Sequence, residues 1–485
     1  MSNNIQLNND LLRLAPVGFP IAGSIFGMFF EALLRKPAVA VLFSIAGLLG
    51  SIVTVFGGAV GLPGYGSELF GLDASAGILI AAASLFALFS LAIASDYLKP
   101  RDDEFPGELA SLLVLVPAGI GLIAGAKHFM MIFLGIELLS IPLYALVGLR
   151  RQNARAIEGA IKYFLLGAFA AGFIAYGMAL LFASEKTLDL SLLAGAAGKS
   201  PAAAAGTALI LIGLLFKISA APFHFWTPDA YEGAATPVTA LMASCTKIAA
   251  VAALLKTVPL LSSAAWPALA AVALLTIAAG NFGALLQTRV KRLLAYSSVA
   301  HAGTLLIALA AERAASGKPI AADITKATQN ASVFYLAIYG ASALGAFGIL
   351  AILERGGDRF LELADFRGLS RRRPFAAWML TLFLLSLAGI PPTGGFWAKY
   401  FIFATAVRAG EVWLAVAGIV LSVVGVVYYL KVIATCFMSA EDDTLGAPSQ
   451  GKAPFPAWLA TTLAAAGVLA IGILPSQLLN ILSRS

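Results

Sequence analysis

The chain has 485 residues, of which 60% are hydrophobic and only 12% are charged, and its formal net charge is +7. Soluble domains carry about 25% charged residues, so this composition excludes a water-soluble globular protein and indicates one embedded in lipid. In such a protein the placement of positive charges matters more than their sum, so the net charge does not indicate a nucleic-acid partner.

Apolar segments follow one another along nearly the whole chain. A bilayer core needs about 20 apolar residues per helix. The sequence therefore predicts an all-α polytopic membrane protein with about 14 transmembrane helices and short loops, in a single membrane domain. We expect no removable signal peptide, because residues 1–10 are polar and lack a basic region followed by a cleavage site. The predicted spans are 16–34, 37–59, 75–97, 108–125, 128–149, 158–183, 205–226, 236–258, 265–286, 291–311, 329–354, 375–405, 410–437 and 455–481.

The loop charges predict an orientation. If alternate loops are assigned to one membrane face, 17 lysines and arginines lie on that face and 10 on the other. Basic loops are retained on the cytoplasmic side. The first face, with Arg150, Arg151 and Arg289, is therefore predicted to be cytoplasmic, and both termini lie outside.

Two predicted spans are interrupted by helix-breaking residues. The seventh contains Pro222 and Pro228, and the twelfth contains Pro391, Pro392 and a glycine pair. Proline removes a backbone donor and clashes with the preceding turn, so both helices are expected to break near the middle of the membrane. The alternative is that the prolines only kink their helices.

Broken helices at corresponding positions are typical of transporters built from inverted repeats. The sequence predicts three helices at 16–97, a first five-helix repeat at 108–258, a second at 265–437 and a terminal helix at 455–481. Helices 7 and 12 are the broken ones.

Charged residues lie inside the apolar spans. Each costs about 2.5–3.5 kcal/mol at a helix centre, which indicates a compensating role. The alternative is snorkelling from a helix end or an ion pair, which suits Lys431 beside two tyrosines and Lys162 one turn after Glu158. The buried charges are Glu137, Lys162, Lys217, Lys247, Lys399 and Lys431.

These residue types suit proton transfer. Burial disfavours the charged form of an amine and a nearby carboxylate favours it, so a buried lysine with a movable carboxylate is a switchable proton site. Glu137 is the candidate partner of Lys217, and His224 suits a relay step, the alternative being a packing histidine. Across the repeats, Lys217 is predicted to correspond to Lys399, and Lys247 to Lys431. The only predicted counterpart of Glu137 in the second repeat is His301.

Other chemistries lack a sequence signal. Cys245 and Cys436 form no C-x-x-C pair, and no G-x-G-x-x-G follows a strand, so cluster, haem, nicotinamide and flavin sites are not predicted. Gly198-Lys199-Ser200 resembles a Walker A end, but Leu193 occupies the position of the required glycine. No metal or cofactor is expected in this chain, and the energy source is expected elsewhere.

Four motifs carry a resemblance to a known family. They are Glu137-Leu-Leu-Ser140-Ile-Pro142, Lys217 to Pro237 with Pro222-Phe-His224-Phe-Trp, Ala295 to His301, and Gly389-Ile-Pro-Pro-Thr-Gly-Gly-Phe-Trp-Ala-Lys399. Together they resemble the antiporter-like subunits of respiratory complex I, the bacterial proton-translocating NADH–quinone oxidoreductase. The resemblance covers nearly the whole chain.

The resemblance implies a multi-pass subunit of the bacterial inner membrane, with periplasmic termini, that moves protons while distant subunits reduce quinone. Glu137, Lys217, Lys247 and Lys399 match the family's relay positions, and Lys162 and His224 match supporting ones. It also implies that quinone, FMN and iron–sulfur clusters belong to partner subunits of this translocase. The neighbours would be other antiporter-like and small membrane subunits. The alternatives are a subunit of a multi-subunit cation/proton antiporter or of a membrane-bound hydrogenase.

Overall fold

The computed structural model describes residues 2–59, 69–97, 106–354, 362–438 and 455–483, and these ranges are almost entirely α-helical. The helices are α1 (Ser2–Leu34), α2 (Pro37–Thr54), α3 (Ala74–Tyr97), α4 (Pro106–Leu113), α5 (Leu115–Ala124), α6 (Phe129–Val147), α7 (Ala154–Glu185), α8 (Pro201–Ile218), α9 (Trp226–Gly233), α10 (Thr236–Thr257), α11 (Trp266–Leu285), α12 (Val290–Ala315), α13 (Ala321–Leu353), α14 (Leu369–Arg372), α15 (Pro374–Ala388), α16 (Gly394–Arg408), α17 (Val412–Phe437), α18 (Phe455–Ile473) and α19 (Pro475–Ser483).

Most of these helices are long and apolar enough to cross a bilayer. Within the described ranges 13 segments qualify, with mean hydropathies between 1.6 and 2.4. The shorter apolar helix α15 is followed directly by α16, and together they cover the predicted span 375–405. The prediction of an all-α polytopic membrane protein is therefore confirmed.

Three helices form the centre of the bundle. The apolar windows of α10 and α12 are each 94% buried, and that of α13 is 89% buried. By contrast α1, α2, α7 and α17 bury about a third of theirs and present leucine, phenylalanine and valine outward. Lipid-facing apolar surface is expected there, since lipid is as apolar as these side chains.

Small residues let the helices approach closely. A methyl group added to Gly119 on α5 would lie 2.6 Å from the carbonyl oxygen of Gly135 on α6, and the converse distance is also 2.6 Å. Gly206 on α8 has the same relation to Gly177 on α7, at 2.7 Å. Close backbone packing of this kind replaces the hydrophobic effect, which does not drive helix association in lipid.

The chain leaves the helical conformation at two places inside the bundle. Helix α8 ends at Ile218 and α15 ends at Ala388, and each is followed by a left-handed residue, Ser219 (φ 67°) or Gly389 (φ 84°). Beyond these, the N–H of Ala220 bonds Leu215 O at 2.8 Å and that of Ile390 bonds Leu385 O at 3.0 Å. Both ends are thus Schellman motifs, which satisfy terminal carbonyls just before a proline.

The structure describes only some of the basic residues on which the predicted orientation depends. Loops 148–153 and 286–289, with Arg150, Arg151 and Arg289, lie at one end of the helices that they connect. We call this the basic face, and the end with loops 186–200 and 316–320 the opposite face. Several residues used in the charge count lie outside the described residues: Lys99, Arg101, Arg355, Arg359, Lys452 and Arg484.

Candidate functional site

Lys217 is held by hydroxyl groups of a neighbouring helix. It lies one residue before the end of α8 and is only 8% exposed. Its Nζ donates to Ser140 Oγ at 3.0 Å and to Tyr144 Oη at 3.2 Å, both on α6. The amine is therefore solvated by the protein rather than by water.

Glu137 lies on the same helix, about one turn before Ser140. It is within electrostatic range of Lys217, yet no Glu137–Lys217 ion pair is recorded among the described residues. Its buried Oε1 atom has no hydrogen-bond partner. Glu137 was predicted as the candidate partner of Lys217; in the structure the hydrogen bonds of Lys217 go to Ser140 and Tyr144 instead, and Glu137 acts on Lys217 through its charge.

Lys247 binds the end of the first broken helix. Its side chain is fully buried on α10, and its Nζ donates to Ile218 O at 2.6 Å and to Ser219 Oγ at 3.1 Å. Ile218 is the last residue of α8, so the amine meets the negative end of the helix dipole. Because Ile218 directly follows Lys217 in the chain, the Lys247 amine contacts the residue next to Lys217.

Lys399 has the equivalent contact at the second break. Its Nζ donates to Ala388 O, the last carbonyl of α15, at 2.9 Å. The lysines that were predicted to correspond between the two repeats do not occupy equivalent positions relative to the breaks. Lys217 precedes its break whereas Lys399 follows one on α16, and Lys431, the proposed counterpart of buried Lys247, is exposed. What the two breaks share is a lysine on the terminal carbonyl.

His301 lies at the centre of a cluster of hydroxyl groups that was not predicted from the sequence. On α12, its Nδ1 is 2.6 Å from Tyr335 Oη and its Nε2 is 3.1 Å from Tyr429 Oη. Tyr429 in turn bonds Ser297. The tyrosines lie far apart in the chain, on α13 and α17, so only the motif around His301 signalled this site.

Two small cavities lie between His301 and Lys399. Each has a volume of ≈ 10 Å³ and is lined by both residues. Lys399 also lines an apolar cavity of ≈ 670 Å³ between α16 and α17, which reaches Arg408. Lys399 therefore stands where the buried polar region meets the lateral surface of the bundle.

Further hydroxyl groups cluster on and around α10, α12 and α13, the helices that carry Lys247 and His301. The Tyr231 hydroxyl lies next to those of Thr246 and Ser298. Tyr339 Oη donates to Ser298 Oγ at 2.8 Å. We call the whole series the polar row; it contains Glu137, Lys217, Lys247, His301 and Lys399 with the hydroxyl groups of Ser140, Tyr144, Ser219, Tyr231, Ser298, Tyr335, Tyr339 and Tyr429.

His224 lies beside the row, in the segment between α8 and α9. It is 8% exposed, stacks on Phe225, and has no hydrogen-bond partner for its buried Nδ1. An unpaired ring nitrogen can accept or release a proton, so the geometry is compatible with both readings of this histidine.

Two of the lysines identified from the sequence lie outside the row. Lys162 forms ion pairs with Glu158 at 2.6 Å and with Asp229 at 2.7 Å, and its side chain is 43% exposed. Asp229 also binds Arg292 at 2.7 Å, so Lys162 belongs to a charge network that joins α7, α9 and α12. The ion-pair alternative therefore describes Lys162, and exposure favours snorkelling for Lys431.

The chemistry available to this site is proton transfer. Within the described ranges no group of three or more histidine, cysteine, aspartate or glutamate side chains could hold a metal ion. Amines, an imidazole, a carboxylate and hydroxyl groups can each hold or pass a proton, and several of these groups are at hydrogen-bond distance from one another. Lys217, Lys247 and His301 are buried, whereas Glu137 and Lys399 are half-buried.

Comparisons with known proteins agree with this description. A family model described as "NADH:quinone oxidoreductase/Mrp antiporter, TM" matches residues 126–425. The NADH-quinone oxidoreductase subunit N 1 of Chloroherpeton thalassium is 39% identical over 487 aligned positions, which cover 97% of each chain.

Solved structures share the fold. A chain of respiratory complex I from Thermus thermophilus with bound Aureothin has a TM-score of 0.80 at 33% identity, covering 95% of this chain and 97% of that one. A chain of the Mrp complex from Dietzia sp. DQ12-45-1b has a TM-score of 0.79 over 98% and 96%, but at 21% identity it shows a likeness of fold alone.

Proposed function

The chain belongs to the NADH:quinone oxidoreductase/Mrp antiporter transmembrane family, and on that premise we propose that it is a proton-translocating subunit of a bacterial NADH–quinone oxidoreductase. Within that complex it takes the place of subunit N, in the inner membrane with periplasmic termini. Quinone, FMN and iron–sulfur clusters are held by partner subunits, and this subunit carries out no redox step.

The polar row is the observation that carries this proposal. Two buried amines, the half-buried amine of Lys399 and a buried imidazole are each bonded to a hydroxyl group or a helix-terminal carbonyl, with no charged partner for Lys247 or Lys399 among the described residues. Burying a charge costs several kcal/mol in lipid. Such a row is stable as neutral amines or as amines that carry a transient proton, which is what conduction requires.

In the proposed mechanism a proton is held near Lys217 and Glu137 and passes to Lys247 around the end of α8. From Lys247 the proton passes along hydroxyl groups to His301, and from His301 it passes through the small cavities to Lys399. Glu137, Lys217, Lys247 and Lys399 hold protons in turn, His224 assists at the first break, and Lys162 positions α9 through Asp229. The two five-helix repeats at 108–258 and 265–437 each contribute one broken helix to this path.

A cation/proton antiporter is the second candidate, because the Mrp complex shares the fold. Membrane-bound hydrogenase subunits form a related alternative. Purification of the tagged chain from its native membrane separates them. Co-purification with subunits that carry flavin and iron–sulfur clusters would support an NADH–quinone oxidoreductase. Co-purification with membrane subunits alone would support an antiporter.

The mechanism is tested by Lys217→Ala and Glu137→Gln in the assembled complex. Each removes a titratable group from the row, and we expect NADH-driven proton pumping into proteoliposomes to fall about tenfold or more. The measurement is quenching of a ΔpH-sensitive dye, with assembly checked by native gel.

Lys431→Ala is the matched control, since it removes an exposed lysine from the same membrane domain and should leave pumping unchanged. Full pumping by an assembled Lys217→Ala complex would refute the assigned site.

A further inference from the structure

A cavity of ≈ 170 Å³ with both polar and apolar walls lies away from the polar row. It is lined where α3 and α13 begin and α10 and α12 end, which places it at the opposite face. Its lining includes the polar residues Asp73, Ser75, Lys256, Glu312, Thr325 and Gln329. A cavity with such walls, at the depth of the helix ends, is suited to water.

Glu312 is the exceptional residue of this cavity. Its side chain is only 8% exposed, and its Oε2 atom has no hydrogen-bond partner. Its Oε1 accepts a bond of 3.3 Å from Thr325. No ion pair of Glu312 is recorded among the described residues, although Arg313 is its neighbour in the chain.

The nearby basic side chains are occupied elsewhere. Lys256 Nζ donates to Ala126 O at 2.9 Å. Arg313 bonds Ser316 and points its guanidinium toward the carbonyl oxygens of Val258 and Pro259. Asp73, the other acid, accepts from Ala76 N at 2.6 Å as the cap of α3. A buried carboxylate with a free oxygen and no bound cation is costly in its charged form, and taking up a proton removes that cost.

A stripe of hydroxyl groups on α13 leads from the polar row to this cavity. Tyr339, Tyr335, Ser332, Thr328 and Thr325 follow one another in alternating steps of four and three residues, which puts them on one helix face. Tyr339 at the start of the stripe bonds Ser298, Tyr335 as its second residue bonds His301, and Thr325 at its end donates to Glu312.

The middle of the stripe is buried and incompletely bonded. Thr328 and Ser332 are fully buried, and Ser332 Oγ has no hydrogen-bond partner. Thr325, at the end of the stripe, is exposed. At a rise of 1.5 Å per residue, Glu312 lies about 16 Å along α12 from His301, so the stripe spans the outer half of the membrane.

We propose that the α13 stripe and Glu312 form a proton path between the polar row and water at the opposite face, with Glu312 as the exchange group. A proton moves from the His301 cluster along the stripe hydroxyl groups to the Glu312 carboxylate and from there to water in the cavity. No other atom or electron is exchanged. This inference rests on the proposed function of the polar row and adds the route by which that row meets the aqueous phase.

The first test is proton pumping by the assembled complex with Glu312→Gln, and separately with Thr328→Val combined with Ser332→Ala. We expect both to lower NADH-driven pumping on the order of tenfold. Glu312→Asp should restore at least half of it, which a purely structural role of the side-chain shape would not do. Glu185→Gln removes a carboxylate bonded to Lys199 outside the cavity and should pump at the wild-type rate.

Pumping at the wild-type rate by both Glu312→Gln and the stripe double variant overturns the proposal. If Lys217→Ala blocks pumping in the same assay, the polar row stands and only the route fails. If Lys217→Ala also pumps fully, the proposed function itself fails.

The second test is accessibility and does not depend on pumping or on the Glu312→Gln variant. Glu312→Cys in sealed vesicles should react with a membrane-impermeant thiol reagent from the opposite face alone. Ser332→Cys, fully buried on the stripe, and the wild-type chain with buried Cys245 and Cys436 should not react. Absence of labelling at Glu312→Cys, or labelling from the basic face, contradicts the proposal.

Discussion

At the residue scale, each amine of the polar row has an acceptor supplied by backbone or hydroxyl groups. Lys247 on Ile218 O and Lys399 on Ala388 O show the pattern most clearly, at 2.6 and 2.9 Å. A carbonyl at a helix end carries partial negative charge and has no intrahelical partner. A lysine there satisfies the carbonyl while remaining free to exchange its proton, which a tight ion pair would hinder.

Lys247→Met tests this dual role. The variant removes the amine and leaves Ile218 O unsatisfied, which costs about 1–3 kcal/mol. We expect the thermal midpoint of the purified complex to fall and NADH-driven pumping to be lost in the fraction that remains assembled.

Lys431→Met is the matched control, because the same substitution at an exposed lysine should change neither quantity. Unaltered pumping in Lys247→Met would remove this residue from the path.

At the element scale, both broken helices end in a Schellman motif, but the lysines around the two helix ends are arranged differently. The first break holds Lys217 before its end and receives Lys247 from α10, whereas the second receives Lys399 from its own second half. Gly389 provides the left-handed residue that the second end needs, and a methyl group there would lie 2.8 Å from Lys399 Cδ. The turn and the lysine are therefore fitted to one another.

Gly389→Ala should disturb this fit. A left-handed alanine costs about 1–2 kcal/mol, and the added methyl group would push Lys399 from the Ala388 carbonyl. We expect lower thermal stability together with reduced pumping.

Gly410→Ala provides the control, since Gly410 also has a positive φ (92°) but open space around its Cβ position. It should carry a similar stability cost and pump normally. Equal pumping by the two variants would show that the Lys399 contact has no part in conduction.

At the scale of the whole molecule, the central helices α10, α12 and α13 carry polar residues while the outer helices face lipid. Because α12 holds both His301 and Glu312 and α13 holds the stripe, this centre joins the middle of the membrane to the opposite face. The basic residues of loops 148–153 and 286–289 stand at the other end.

The predicted orientation gives a direct measurement. In sealed inverted membrane vesicles, whose cytoplasmic side faces outward, Gln152→Cys should react with an impermeant thiol reagent and Ala194→Cys should not. Both positions are exposed, in loops at the two faces. The reverse labelling pattern would invert the proposed orientation and with it the direction assigned to the Glu312 route.

Local signals were sufficient for several features of the fold and site. The apolar spans, the breaks near Pro222 and Pro391, and the placement of Glu137, Lys217 and Lys247 inside spans follow from residue order alone. Lys162 and Lys431 were less determined, because a span lysine can face a partner, a lipid headgroup or the bundle interior. Exposure and the Asp229 ion pair separated these cases, and both depend on neighbouring helices.

The sequence by itself determined that this chain is a helical membrane protein with costly charges in its spans, because composition and hydropathy act locally and need no partner. Only the tertiary structure decided what those charges touch. It brought the hydroxyl groups of Ser140 and Tyr144 to Lys217, put lysines on the carbonyl ends of α8 and α15, and brought Tyr335 and Tyr429 to His301. The physical reason is that these hydrogen bonds join residues on different helices, in one case 128 positions apart, and their pairing depends on helix rotation and packing, which residue order does not specify.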